Sequence, residues 1–178
     1  MFTKRRGVFI KMTGPNKKKR VDVGVDPGKK GGLAFFEDGV LISFFPTPLI
    51  KGEYNLTYMS KLLRAATQVD FAEHRPPQLW IEDVHSYPHQ GVKSMFTFGY
   101  GVGIWIGLAI ANGYKINKVR PQVWKKHFNL IKKDKEASIK LVKKLYPTIN
   151  LIPHGCRVAS DGIAESILIG LFGVKNGV

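Results

Sequence analysis

Cysteine is almost absent: Cys156 stands alone among 178 residues. A single thiol excludes an intrachain disulfide and any cysteine-based zinc site, and a reducing, intracellular compartment is the expectation. Acidic residues are also scarce, 13 against 28 Lys and Arg, and none of them falls in residues 1–20. The start of the chain lacks the apolar core of a secretory signal. The longest apolar stretch, Phe96 to Ala111, is short for a bilayer and is interrupted by Gly99, Gly101, Gly103 and Gly107. It predicts a buried helix and no membrane partner. Nor does Gly99-x-Gly101-x-Gly103 precede a Lys-Ser/Thr pair, which excludes a phosphate loop, and no Ser-His-Asp arrangement is visible.

Base is present in excess. The formal charge is +15 and the pI about 10.0. Such an imbalance costs stability through self-repulsion, and a polyanion relieves it; nucleic acid is the expected partner. Eight of the basic side chains lie in residues 1–20, which read as a flexible basic arm. Pro15-Asn16-Lys17-Lys18-Lys19-Arg20 there resembles a nuclear localisation signal, with a phosphate-binding tail as the plainer reading. The other 20 basic residues still outnumber all 13 acids, so residues 21–178 carry +7 themselves. That segment is long enough for one domain, and the chain's 44% hydrophobic content suits a packed core.

From Val21 the pattern alternates, Val21, Val23 and Val25 against Asp22, Gly24 and Asp26, which predicts a strand with one buried face. Leu33 to Phe36 and Val40 to Phe45 follow across two Gly-containing turns and complete an antiparallel meander. A helix is expected over 55–74, a strand over Leu79 to Val84, and a loop from Ser86 to Lys93. A Gly-rich helix over 95–112, a strand from Tyr114 to Val119, and helices over 121–128, 135–145 and 161–174 come next. A meander followed by two crossovers gives an α/β fold: a mixed five-stranded sheet, antiparallel and then parallel, flanked by helices.

In so basic a chain, acids at element ends are informative. Asp26 ends the first strand, Glu82 lies near the end of the fourth, and Asp161 and Glu165 stand one turn apart on the last helix. Like charges at i and i+4 repel, although Asp161 also meets the positive end of the helix dipole. Paired anions beside an apolar helix ask for a cation, and carboxylates suit Mg²⁺ or Mn²⁺. Two such ions, about 3.5–4 Å apart, can hydrolyse a phosphodiester. Each acid has a plainer reading as well: Asp26 as a turn residue, Glu82 as a satisfied strand end, Asp161 as a helix cap, Glu165 as a surface acid.

Val23-Gly24-Val25-Asp26-Pro27-Gly28, Ile81-Glu82, Gln90-Gly91, Phe98-Gly99-Tyr100-Gly101, Trp105-Ile106-Gly107, Val123-Trp124-Lys125-Lys126-His127-Phe128 and Asp161-Gly162-Ile163-Ala164-Glu165-Ser166 occur in one order. Together they resemble the RuvC-type Holliday-junction resolvases, the phage and chloroplast branch above all, over residues 21–173. The resemblance implies a ribonuclease H-like fold and a homodimer that nicks opposing strands of a four-way junction. It implies that Asp26, Glu82, Asp161 and Glu165 hold the metal, two Mg²⁺ ions that Mn²⁺ can replace, with no organic cofactor. Lys125 resembles a family lysine near the scissile phosphate, and the Gly-rich helix would pack on its dimer mate; surface charge and core packing are their plainer readings. The acid spacing departs from bacterial RuvC, where two aspartates stand one residue closer than Asp161 and Glu165.

Lys29, Lys30, Lys93, Lys125, Lys126, Lys132 and Lys133 are the expected phosphate contacts. Met95 and Phe96 are either a wedge at the junction centre or core. Trp80 and Trp105 are expected in the core, Trp124 beneath the Lys125 segment, and His85 and His89 as loop residues or phosphate contacts. The expected location is intracellular and DNA-associated: host cytoplasm for a phage protein, otherwise nucleus or organelle. Competing readings are a ribonuclease H-like nuclease acting on flaps or RNA–DNA hybrids, and a non-catalytic protein that binds branched DNA. An actin-like nucleotide-binding fold needs two such halves, and the chain has room for one.

Overall fold

The computed structural model describes residues 19–66, 75–83 and 91–177, together with a two-residue antiparallel pairing of Lys4–Arg5 with Val8–Phe9. Most of the basic arm, the predicted continuation of the first helix to residue 74, and the loop with His85, His89 and Gln90 lie outside the described residues.

Five strands form the sheet: β1 (Val21–Asp26), β2 (Gly32–Glu37), β3 (Val40–Pro46), β4 (Gln78–Glu82) and β5 (Lys115–Val119). Their spatial order is β3-β2-β1-β4-β5, with β1 to β3 antiparallel and β4 and β5 parallel to β1. This is the mixed five-stranded, ribonuclease H-like arrangement expected from the sequence. A small ribbon, Leu49–Ile50 paired with Glu53–Tyr54, follows β3 and was not anticipated.

Alternation along each strand divides the core. Val23, Val25, Leu33, Phe35, Leu79 and Ile81 face helices α1 (Leu56–Ala65) and α2 (Val92–Ala111), whose Met59, Leu63, Trp105 and Ala109 are buried against them. Ala34, Phe36 and Trp80 share the other layer with α3 (Pro121–His127), α4 (Lys135–Leu145) and α5 (Asp161–Asn176). Trp80 and Trp105 are core residues, as expected.

The expectation that β1 buries one face is corrected: Val21 to Val25 are all buried, because α5 covers the face carrying Asp22 and Gly24. A Cβ on Gly24 would run into the backbone of Ser166 and Gly170, so glycine is what lets α5 lie directly on the strand. Asp22, fully buried, is compensated by Arg20 at 2.6 and 2.9 Å and by the Trp80 indole N–H at 2.9 Å. Arg20 also donates to the Gly173 and Gly177 carbonyls at the end of α5. Arg20 therefore belongs to the folded domain rather than to a free arm.

Two further corrections concern α2. It begins at Val92, so Lys93 sits on a helix instead of in a loop. Only Gly101, Trp105 and Ala109 of its 20 residues are buried, so it is not the buried helix expected. At 20 residues it is long and apolar enough to cross a membrane by length and composition, yet Trp105 and Ala109 pack in the core of the sheet. Its outer face has apolar side chains and glycines with nothing beside them among the described residues: a Cβ at Gly99, Gly103 or Gly107 would meet no atom within 4 Å.

Candidate active site

Parallel pairing of β1 with β4 places Val25 opposite Ile81, so the next residues, Asp26 and Glu82, leave adjacent strand ends side by side. Both follow the alternation of Gly24 and Trp80 and so face the α5 layer. The first turn of α5 closes on the same place. Gly162 abuts the Lys30 carbonyl and Gly31, and a side chain there would push the helix off the β1–β2 turn. Asp161 and Glu165 thus arrive at the end of the sheet where Asp26 and Glu82 emerge.

Electrostatics record the convergence. Burial, then repulsion from Glu82 and Glu165 and, more weakly, Asp161, pushes the Asp26 carboxyl up to about 7, against one long backbone hydrogen bond from Gly28 at 3.5 Å. That contact retains a little of the turn-residue reading. Glu82 is raised as well: burial and Glu165 outweigh Lys125 and the Trp124 indole, whose Nε1–H donates to Glu82 Oε1 at 3.0 Å.

On α5 the two acids have different partners. Burial acts upward on Asp161, but Lys135, 2.9 Å away, and the backbone N–H groups of Asp161 and Gly162 hold its carboxyl below the usual range. Ser160, not Asp161, caps the helix, accepting from the Ile163 N–H at 3.2 Å. Glu165 meets Lys125 Nζ at 3.4 Å and the buried Ser138 hydroxyl, also at 3.4 Å. The repulsion between Asp161 and Glu165 is thus offset by two lysines, one of which, Lys135, the sequence reading did not single out. Trp124 is fully buried beneath Lys125, whose Nζ stands 5.0 Å from its ring centroid, as expected.

With side chains in these positions, no group of three or more His, Cys, Asp or Glu among the described residues converges tightly enough to grip an ion. Lys125 and Lys135 draw Glu165 and Asp161 toward themselves. The donors at hand are nonetheless all carboxylate oxygens, which suits a hard divalent cation, and a cation beside Asp26 would oppose the repulsion that adds to its burial.

No protein family and no curated protein matches the sequence. Solved structures do. Thermus thermophilus RuvC is 16% identical, with a TM-score of 0.58 over 88% of this chain and 96% of that one. T. thermophilus RuvC in complex with Holliday junction substrate gives a TM-score of 0.54 at the same identity and coverage. The chain has the RuvC fold.

Around the acids of this RuvC fold, the other expected site residues divide. Lys125 reaches them directly. Lys29 lies on the β1–β2 turn, paired with Glu53 at 2.9 Å and 5.7 Å from the Tyr54 ring centroid. With Lys93, Ser94 and Thr97 of α2 it borders an open cleft of about 540 Å³. Lys30, Lys126, Lys132 and Lys133 are exposed, and among the described residues none of them is placed against a carboxylate. Phe96 is 75% exposed and stacks on Tyr100, which corrects its core-packing alternative, while Met95 is half-buried. The contributions of Lys135 and Ser138 went unread because each depends on α4 lying against α5, a long-range contact with no local signature.

Proposed function

We propose that this chain is a divalent-metal-dependent endonuclease that resolves four-way DNA junctions by paired, symmetric nicks. The carrying observation is that Asp26, Glu82, Asp161 and Glu165 lie near enough at one end of the sheet for their repulsion to add to the burial that pushes Asp26 up to about 7, inside a chain of charge +15. A hydrolase for a polyanion needs that combination: positive surface to gather phosphate, and a negative pit to hold cations against it. The likeness in fold to a RuvC bound to a Holliday junction substrate supports the same substrate class.

Asp26, Glu82 and Glu165, with Asp161 at the margin, would hold Mg²⁺, or Mn²⁺ in its place, two ions being the number the resemblance implies. When bound, such ions supply an activated water and neutralise charge on the phosphate and leaving oxygen. The protein's own groups do the rest. Trp124 fixes the Glu82 carboxylate by its indole N–H, and Ser138 steadies Glu165. Lys125, released from Glu165, presents its ammonium to the scissile phosphate, while Lys29 and Lys93 border a channel for the strand. Lys30, Lys126, Lys132 and Lys133 add phosphate contacts, and Phe96, with Met95 behind it, serves as the junction wedge.

Two such sites, one per opposing strand, call for a homodimer. The outer face of α2 supports one, since Gly99, Gly103 and Gly107 leave room for a second backbone to approach closely. Such a protein works inside a cell, where its DNA is. Purified protein with labelled four-way, flap and RNA–DNA hybrid substrates, with and without Mg²⁺, tests the assignment at fixed salt. Symmetric nicks in the four-way junction, at least ten-fold faster than cleavage of the others, are expected. Preference for flaps or hybrids would make this a different ribonuclease H-like nuclease, and inactivity on all three would leave only branched-DNA binding.

A further inference from the structure

The four carboxylates at the end of the sheet have unequal surroundings. Among the described residues, Asp26 accepts one long hydrogen bond, from the Gly28 N–H at 3.5 Å, and Glu82 accepts one from the Trp124 indole. Glu165 meets Lys125 and Ser138, both at 3.4 Å. Asp161 is held more closely: Lys135 Nζ stands 2.9 Å from its Oδ2, and the N–H groups of Asp161 and Gly162 donate to the same carboxylate. A carboxylate offers about four lone-pair positions, so a metal ion at Asp161 would compete for places already taken. Burial, Glu82 and Glu165 also act on Asp26 more strongly than Asp161 does, which puts Asp161 at the edge of the group.

Lys135 is an unfavourable residue for its own position. It opens α4, where the positive end of the helix dipole disfavours a cation. The acids beside it in sequence are engaged elsewhere: Asp134 accepts from the Ala137 N–H at 3.0 Å, and Glu136 pairs with Lys140 at 3.0 Å. Lys135 instead reaches across to α5. One turn further along, Ser138 reaches Glu165, so successive turns of the two helices meet in step. The Lys135 side chain is 84% exposed, and its ammonium faces solvent beside the acids even while paired. An ion pair so open contributes little to stability. What it does is fix where the charge stands.

We propose that Asp161 is a positioning residue rather than a metal ligand, holding the Lys135 ammonium beside a metal site made by Asp26, Glu82 and Glu165. The inference rests on the nuclease reading for the presence of a metal, and within that reading it assigns the acid left at the margin. Lys135 then brings fixed positive charge to the mouth of the site. Removing either partner of the pair removes the same thing.

Metal binding without DNA separates the two roles. Mn²⁺ titrations followed by electron paramagnetic resonance compare wild-type, Asp161→Asn and Glu165→Gln proteins, with Asp161→Ser as a second substitution should Asn disturb folding. The Asp161 variant should bind Mn²⁺ within about three-fold of wild type, and Glu165→Gln about ten-fold or more weakly. Cleavage of a four-way junction then tests the pair. Lys135→Ala and Asp161→Asn should each lower kcat about ten-fold with KM little changed, and the double variant should lose no more than either single one. Lys135→Arg, which keeps the pair, should retain most of the activity. An Asp161 variant that loses Mn²⁺ as Glu165→Gln does overturns the inference, and so do losses that multiply in the double variant. Wild-type protein that binds Mn²⁺ but cuts no branched DNA would sink the nuclease reading alone, since the titration still decides the role of Asp161. Wild-type protein that binds no Mn²⁺ overturns both.

Discussion

The indole nitrogen of Trp124 donates to Glu82 Oε1 at 3.0 Å across 42 residues of sequence. The same ring lies 5.0 Å from Lys125 Nζ, so one buried side chain orients an acid and seats the cation beside it. Trp124→Phe keeps the aromatic packing and removes the donor. Without it the Glu82 carboxyl rises further, because that hydrogen bond favours its anion. The acid limb of the cleavage pH profile should move to higher pH, with kcat down about ten-fold at neutrality, the cost of roughly 1.4 kcal/mol in the transition state. An unchanged profile would mean that Trp124 only fills space.

Asp26 predicts how stability follows pH in the absence of metal. Its folded value, about 7, lies above the ordinary 3.8, so the folded state binds a proton more tightly than the unfolded one. Its stabilising contribution is therefore complete below about pH 4 and is lost as pH rises through 7. In EDTA, wild-type protein should melt lower at pH 8 than at pH 5. Asp26→Asn should flatten that slope and melt roughly 2–8 °C higher than wild type at pH 8, consistent with relief on the order of 1–3 kcal/mol. Added Mg²⁺ should raise the wild-type melting temperature at pH 8 and leave the variant's nearly unmoved. Calorimetry at the two pH values checks both.

Arg20 and Asp22 make the opposite case, an acid whose compensation is structural. Arg20→Ala strands a fully buried carboxylate whose remaining hydrogen-bond donor among the described residues is the Trp80 indole. A loss of about 3–5 kcal/mol is expected, read from urea denaturation, with part of it recovered by Arg20→Ala/Asp22→Asn. Equal loss in both variants would show that the carboxylate's charge is not the issue.

Gly103 on α2 separates assembly from folding. A Cβ there would meet no atom within 4 Å among the described residues. Gly103→Leu should therefore fold, even gaining up to about 1 kcal/mol of helix propensity. If α2 forms the proposed dimer interface, the variant should sediment as a monomer under conditions where wild type sediments as a dimer, with paired nicking reduced to single nicks. A dimeric Gly103→Leu protein would move the interface to another surface.

What the sequence revealed followed from local rules. Alternating valines located β1, and the helices expected over 121–128 and 135–145 lie where α3 and α4 do. All four acids could be picked out because acids are scarce and these sit at element ends. Long-range contacts stayed hidden. Asp22 and Gly24 look polar on paper yet are buried, one by Arg20 and Trp80, the other because it has no side chain to hold α5 away. The apolar composition of α2 suggested burial, but composition does not say whether a helix is covered by its own chain. Lys135 and Ser138 became site residues only when α4 was laid against α5.

On the proposed reading, the gathered carboxylates, and not merely the basic surface, make this protein act on DNA. Cleavage and binding of one immobile four-way junction by wild-type, Asp26→Asn and Glu82→Gln proteins in Mg²⁺ tests it most directly. Each variant should bind the junction within about three-fold of wild type and cut it at least 10³-fold more slowly, a loss of about 4 kcal/mol in transition-state stabilisation. Metal-dependent cleavage at near wild-type rate by either variant would contradict it.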